Sequence, residues 1–257
     1  MVRTRTEVIA NRFIAEGIFR LTLDAPELLA RRVMPGQFVH VKTGDNALLL
    51  RRPISVYSVE RARNRLSLVI QAAGEGTRKL SRLRAGDVVD VVGPLGQGFD
   101  VTDTKLVYVT GGGVGVAPLC HTIDEHNADH EIEGFFGYRS AAHAYGYERK
   151  DVKIHIATDD GSLGEHGLII APLERAMRAR RPDLVLVCGP TPMLHAVQKL
   201  CADMEVRCQL SLEQRMGCGV GGCLTCNCKI RTAEGWAYRR ACMDGPVFDG
   251  KDVMLDG

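Results

Sequence analysis

The residues best placed for chemistry are the last five of the nine cysteines, four of them within residues 218 to 228. The run Cys218-Gly-Val-Gly-Gly-Cys223-Leu-Thr-Cys226, followed after 15 further residues by Cys242, contains C-x4-C-x2-C and a remote fourth thiol. The first three spacings are those of plant-type [2Fe-2S] ligation, in which four thiolates complete two sulfide-bridged irons. Gly217, Gly219, Gly221 and Gly222 let the backbone curl closely, accept positive φ and turn N–H groups toward negative sulfur. Zinc is the competing occupant, since four cysteines also bind it tetrahedrally, but zinc sites favour close cysteine pairs over a four-residue first gap. Cys228 could in principle replace Cys226 or Cys242; with the first three positions consumed and Cys242 free to close the cage, it is expected to be a spare, packed thiol. Cys120, Cys188, Cys201 and Cys208 form no comparable cluster, and no HExxH signature is present.

Two further kinds of motif suit phosphate. Gly111-Gly112-Gly113-Val114-Gly115 follows an apolar run and opens a helix-compatible one, which turns backbone N–H groups toward a pyrophosphate. A tight structural turn would also explain it. Cys188-Gly189-Pro190 ends a later apolar run and would bring a second loop to the same sheet edge. Arg52-Pro53-Ile54-Ser55 offers a planar multi-donor cation and a hydroxyl, and Gly74-Glu75-Gly76-Thr77 a small turn with a hydroxyl, expected to face Arg52 across the barrel. A solvated Arg51-Arg52 corner is the plainer alternative. Tyr57 is either a flavin-flanking ring or an ordinary strand aromatic.

The elements that must position these residues change character along the chain. Arg5 to Ala10, Ile18 to Leu23, Phe38 to Val41, Ile54 to Val59 and Arg65 to Gln71 read as short strands separated by turns at Pro35-Gly36, Gly44-Asp45 and Gly86-Asp87. They predict a small antiparallel barrel over residues 1–100, with a short helix closing over Leu80 to Leu83. Strands at Lys105 to Thr110, Glu131 to Gly137, Val152 to Thr158 and Leu184 to Cys188 alternate with helices at Leu173 to Arg181 and Pro192 to Asp203. That pattern predicts an α/β parallel-sheet domain over residues 101–210. Residues 211–257 read as a small cluster-binding subdomain, too short for a large core of its own.

Bulk properties agree. A chain of 257 residues that is 45% hydrophobic can build a multi-domain core, and a net charge of +2 gives no reason to expect a nucleic-acid partner. No stretch nears the roughly 20 apolar residues of a membrane span, and an odd cysteine count argues against a secreted disulfide framework. A cytoplasmic chain is expected.

In this order, and over nearly the whole chain, the motifs resemble the ferredoxin-NADP reductase superfamily. Within it they are most similar to the electron-transfer subunits of two-component, NAD-linked dihydroorotate dehydrogenases. Arg52-Pro53-Ile54-Ser55 and Gly74-Glu75-Gly76-Thr77 look like the FAD motifs, and Gly111 to Gly115 with Cys188-Gly189-Pro190 like the pyridine-nucleotide motifs. Met216 to Cys223, Cys226 and the Cys242 to Phe248 segment look like the cluster motif. The short closure to Cys242 sets this pattern apart from reductases with a separate ferredoxin domain.

The resemblance implies FAD, a [2Fe-2S] cluster and NAD as acceptor. It also implies a partner, an FMN-containing subunit that oxidises dihydroorotate in pyrimidine biosynthesis, two copies of each. Hydride transfer between stacked rings needs no acid or base, so no catalytic residue is assigned, and none of the eight histidines is nominated. Glu213 and Arg139 are expected near the cluster loop and the nucleotide, with surface roles as the alternative. The competing readings are a flavin and iron-sulfur subunit of a ferredoxin:NADP oxidoreductase, hydrogenase or sulfide dehydrogenase complex, and a zinc-stabilised nucleotide sensor.

Overall fold

Short alternating segments separated by turns cannot bury one face alone, and in the computed structural model, which describes residues 1–44 and 47–255, they close on one another. Strands β1 (Val2–Ala15), β2 (Ile18–Asp24), β3 (Phe38–Val41), β4 (Arg52–Glu60), β5 (Arg65–Gln71) and β6 (Val88–Leu95) form a closed antiparallel barrel in the order β1-β2-β5-β4-β3-β6. Alternate residues such as Phe19, Leu21 and Leu23, Leu66 and Leu68, and Val89 and Val91 fill its interior. Helix α1 (Pro26–Leu29) lies in the β2–β3 connection.

Two expectations shift here. The short helix is α2 (Glu75–Leu80), not Leu80 to Leu83, because it starts inside the Gly74-Glu75-Gly76-Thr77 turn. There the Thr77 hydroxyl accepts from the Gly74 N–H and donates to the Gly74 carbonyl, both at 3.1 Å. Strand β6, not foreseen because Gly93-Pro94 interrupts its apolar run, pairs with both β1 and β3 and closes the barrel. The turn at Gly44-Asp45 runs into residues outside the described ones.

The second body alternates as the sequence predicts. Strands β7 (Leu106–Gly112), β8 (Glu131–Tyr138), β9 (Lys153–Thr158) and β10 (Glu165–His166) are followed by β11 (Leu184–Cys188) and β12 (Arg207–Ser211). Helices α3 (Val116–His126), α4 (Ile170–Ala179) and α5 (Thr191–Asp203) connect them. The order β10-β9-β8-β7-β11-β12 is parallel throughout, so the chain reverses its direction of growth between β7 and β11, where such sheets bind ligands at their carboxyl edge. Among the described residues no helix is long and apolar enough to cross a membrane.

The remaining residues form a hairpin, β13 (Asn227–Thr232) and β14 (Gly235–Arg240), and then β15 (Val247–Asp249), which adds antiparallel to β12 and makes the sheet mixed. This return was not legible in advance. Cys226, Cys228, Ile230, Ala241, Cys242 and Val253 join one apolar cluster with Val185, Val187, Leu194 and Val197, so the small segment shares the sheet's core. A Cβ on Gly250, just past β15, would lie 2.2 Å from the Cys208 sulfur on β12. Gly250→Ala should therefore lower the denaturation free energy by about 1–3 kcal/mol, read by urea unfolding; an unchanged midpoint would show that β15 is not held there.

Candidate functional site

Three sets of residues converge where the barrel, the sheet edge and the hairpin meet. The cysteine loop leaves β12 and enters β13, and the hairpin closes the long gap to Cys242: Asn227 pairs with Arg240, and Ala241 N–H donates to the Cys226 carbonyl at 2.8 Å. Cys226 and Cys242 thus lie side by side, both buried, with their thiols interacting. The more exposed Cys218 and Cys223 form a second pair. The Cys218 sulfur accepts N–H groups from Val220 (3.4 Å), Gly222 (3.3 Å) and Cys223 (3.4 Å). The Cys223 sulfur accepts the Thr225 hydroxyl (3.2 Å) and Cys218 N–H (3.4 Å).

Hydrogen bonding and burial move two of the thiols in opposite directions. The Thr225 hydroxyl, then the Cys218 N–H, draw Cys223 down to about 6, whereas burial and the neighbouring Cys226 push Cys242 up. Gly219 and Gly221 take φ of +69° and +83°, and Leu224 +57°, so the curl uses left-handed backbone at three points.

This donor set fits the two-iron group better than a single ion. The two thiol pairs supply two sulfurs for each iron of such a group, and the more exposed pair, Cys218 and Cys223, accepts four backbone N–H groups. Cys228 is turned elsewhere. Its thiol faces the Cys226 carbonyl at 4.0 Å, burial pushes it up to about 12, and with Glu213, Gln214, Thr191 and Tyr238 it lines a separate cleft of about 270 Å³.

The barrel reaches both halves of the cysteine cradle. After β6, Gln97 N–H donates to the Gly245 carbonyl (2.6 Å) and Gln97 Nε2 to the Met243 carbonyl (3.1 Å), just beyond Cys242. Arg240 Nη1 binds the Gly221 carbonyl (3.4 Å) while its Nε holds Asp244 (3.1 Å), tying loop to hairpin. On the other half, the His40 ring from β3 packs against Gly219, where a Cβ would meet His40 Nδ1 and Cε1 at 2.5 Å. His40 is fully buried, and among the described residues neither ring nitrogen has a hydrogen-bond partner. Such an omission costs about 1–3 kcal/mol per group. Burial, helped by Arg51, lowers its pKa to about 4, so the ring is neutral, with one donor and one acceptor nitrogen. Sequence reasoning missed Gln97, Arg240 and His40, because none lies in a motif.

The proposed flavin residues are also brought together, more closely than expected. Arg52 does not face the Gly74 turn across the barrel; its guanidinium lies on Gly76, where a Cβ would sit 2.5 Å from Arg52 Nε, and Nη1 donates to the Leu50 carbonyl (2.5 Å). Pro53 is in register with His40, Ile54 with Val39 and Ser55 with Phe38. A cation with five donors next to the first turn of α2 suits a pyrophosphate. Tyr57 faces Tyr145 at 6.5 Å in the seam between barrel and sheet, and burial raises its pKa to about 12.

At the sheet edge, Gly111 pairs with Cys188. Gly113 (φ +54°) opens a single 3-10 turn, Gly113–Gly115, before α3. A Cβ on Gly115 would lie 2.3 Å from the Cys188 carbonyl oxygen, and one on Gly112 2.9 Å from Pro190, so the two loops touch only because both residues are glycine. Gly189 is equally close, a Cβ there lying 3.0 Å from the Gly112 nitrogen. The Tyr145 hydroxyl donates toward the Gly113 (3.2 Å) and Val114 (3.1 Å) carbonyls and pins the turn. Burial lifts the Cys188 thiol to about 12, which keeps it protonated. Arg139 follows β8 at the same edge and is exposed.

Comparison with known proteins covers the chain from end to end. The model of the oxidoreductase FAD-binding domain matches residues 6–99, and that of the iron-sulfur cluster binding domain of dihydroorotate dehydrogenase B matches residues 213–254. The dihydroorotate dehydrogenase B (NAD(+)) electron transfer subunit of Desulforamulus reducens is 38% identical over 256 residues, 97% of either chain. That of Caldanaerobacter subterraneus subsp. tengcongensis is 34% identical over 253 residues, 98% of this chain and 99% of the relative. Among solved structures, an NADH-dependent reduced ferredoxin-NADP oxidoreductase superposes with a TM-score of 0.85 at 26% identity, over 97% of this chain and 90% of that one. A ferredoxin NADP+ reductase from Neisseria gonorrhoeae (TM-score 0.67, 17% identity, 79% of this chain and 91% of that one) shares the fold.

Two substitutions test the separate parts. Gly115→Ala drives a methyl into the Cys188 carbonyl and should raise the KM for NAD about 10–100-fold with flavin and iron content unchanged, read by steady-state kinetics and metal analysis. Cys228→Ser should keep iron and acid-labile sulfide, whereas Cys226→Ser or Cys242→Ser should lose both; loss of iron from the Cys228 variant alone would reassign the ligands.

Proposed function

The chain belongs to the family of electron-transfer subunits of NAD-linked dihydroorotate dehydrogenase B, and from that premise we propose that its three converging sets of residues form one electron path. It serves pyrimidine biosynthesis by carrying electrons between a catalytic dihydroorotate dehydrogenase subunit and NAD, and it uses FAD and a [2Fe-2S] cluster. When bound, the cluster supplies single-electron transfer and the flavin converts single electrons into the pair carried by hydride.

The chain's own residues bind, space and shield. Cys218 and Cys223 would hold one iron and Cys226 and Cys242 the other, with the Val220, Gly222 and Cys223 N–H groups steadying the charge on sulfur. Arg52, Pro53, Ile54 and Ser55 with Gly74, Gly76 and Thr77 would hold FAD, Arg52 neutralising its pyrophosphate beside α2. Gly111, Gly112, Gly113 and Gly115 with Cys188, Gly189 and Pro190 would receive NAD, in loops whose spacing the Gly115–Cys188 contact sets. The apolar seam formed by Ile18 and Val69 of the barrel with α3 and β7 keeps water from between the two nucleotide sites. No residue need take a proton for hydride transfer, and the buried, protonated Cys188 is suited to packing rather than nucleophilic attack.

The division we propose is 1–100 for flavin, 101–210 for NAD and 211–257 for the cluster. The partner is read as an FMN-containing subunit, two copies of each chain assembling in the cytoplasm without membrane insertion or nucleic acid. The observation that carries the reading is the pairing of four thiols in a cradle gripped by the barrel at Gln97 and His40.

Anaerobic co-purification should give one FAD and two irons per copy of this chain, with FMN in the partner. Dihydroorotate-dependent NAD reduction should require both chains. The 0.85 TM-score match favours one second reading, a ferredoxin:NADP oxidoreductase subunit; turnover with ferredoxin, and none with dihydroorotate when the catalytic chain is present, would establish that instead.

A further inference from the structure

His40 is a motif-free side chain that lies between the proposed flavin strand and the cysteine loop. Its backbone on β3 is paired with Pro53 of the flavin motif, and its ring lies on Gly219, next in sequence to Cys218. The contact is built from both sides. Gly219 takes φ +69° and lacks the Cβ that would collide with Nδ1 and Cε1 at 2.5 Å and with Nε2 at 3.0 Å, so any other residue there would push the imidazole away. Phe38 holds the ring from the barrel side, edge-on at 5.9 Å. The imidazole is completely buried, yet among the described residues neither nitrogen is hydrogen-bonded. Buried polar groups are paired in nearly all native structures, so an unpaired imidazole at this position points to a partner that arrives with the cofactor.

We propose that His40 donates an imidazole N–H hydrogen bond from the flavin barrel to the sulfur of the [2Fe-2S] cluster at its Cys218 side, and thereby sets the cluster's reduction potential. The inference rests on the two-iron reading of the four cysteines. A neutral imidazole has one donor. The loop it touches already directs three backbone N–H groups at the Cys218 sulfur, so electron-rich sulfur is the acceptor that this region is arranged to serve. Donors to cluster sulfur favour the reduced, more negative state and raise the potential. The side chain does more than fill space in the seam, and its position on β3 lets the flavin barrel tune the cluster without supplying a ligand.

The test uses the two-chain complex, loaded with flavin and cluster. His40→Leu, which fills the volume without a donor, should keep its iron and sulfide but shift the cluster midpoint to a more negative potential, with the FAD couple unmoved. His40→Asn, which restores a donor near the Nδ1 position, should recover part of that shift. In wild-type protein labelled with 15N only at histidine, pulsed EPR of the reduced cluster should show a histidine nitrogen coupling, and this measurement decides the matter if the variants fail to fold. An unmoved cluster midpoint in His40→Leu, no histidine coupling in the labelled protein, or a shift confined to the flavin couple would overturn the assignment. Absence of iron and sulfide from the wild-type complex would instead overturn the two-iron reading beneath it.

Discussion

The pairing of Val247–Asp249 with β12 is the interaction on which the rest depends, because it returns a core-poor segment to bodies that already have cores. A glycine- and cysteine-rich stretch of this length cannot bury enough apolar surface to stand alone. It borrows instead: Val247 joins the cluster that includes Val107, Val109 and Leu186, and Cys226 and Cys242 join Val185 and Val187. Gln209 on β12 extends the tie to the barrel's exit, its amide accepting from Asp100 N–H (2.9 Å) and donating to the Asp100 carbonyl (2.7 Å). The cysteine cradle is thus fixed by backbone hydrogen bonds to both neighbours, and its position is a property of the whole fold.

A second constraint follows from what electron carriers need, which is fixed spacing and a dry surround. The spacing is set by close approaches to glycine, at Gly76 under Arg52, Gly115 against Cys188 and Gly219 under His40. At Gly76 and Gly219 a side chain on one element lies against bare backbone on another, and at Gly115 backbone meets backbone. The seam is close-packed because α3, which buries every residue from Val116 to Ile123, packs on β4. His121 and Thr122 are the fully buried polar side chains of that stretch, with Glu125 3.7 Å from the His121 ring.

Much of this was legible in the sequence, and the legible parts share a cause. Cys218, Cys223 and Cys226, and the glycines at 74, 76, 111–113 and 115, are held by local backbone demands, so their spacing carries the information within a few residues. Strand periodicity likewise marked β2, β3, β5, β8 and β11. What escaped was settled over long range. Strand β6 is a strand because β1 and β3 both need a neighbour, despite Gly93-Pro94. Three residues of β15 carry no periodicity at all. Helix α2 hid inside a motif that reads as a turn, and His40 became notable only when Gly219 came to rest on it from the far end of the chain.

The late position of β15 has a consequence for how the protein is made. During synthesis the barrel and six strands of the sheet precede the cysteine loop, so both walls of the cradle can fold before its four thiols emerge from the ribosome. The segment that locks the cradle, from Met243 through Asp249, follows Cys242 in the chain. In the folded chain Cys226 and Cys242 are buried behind that segment, while Cys218 and Cys223 stay more exposed. The order of residues along the chain therefore brings out the scaffold first, the four thiols next and the strand that locks them last.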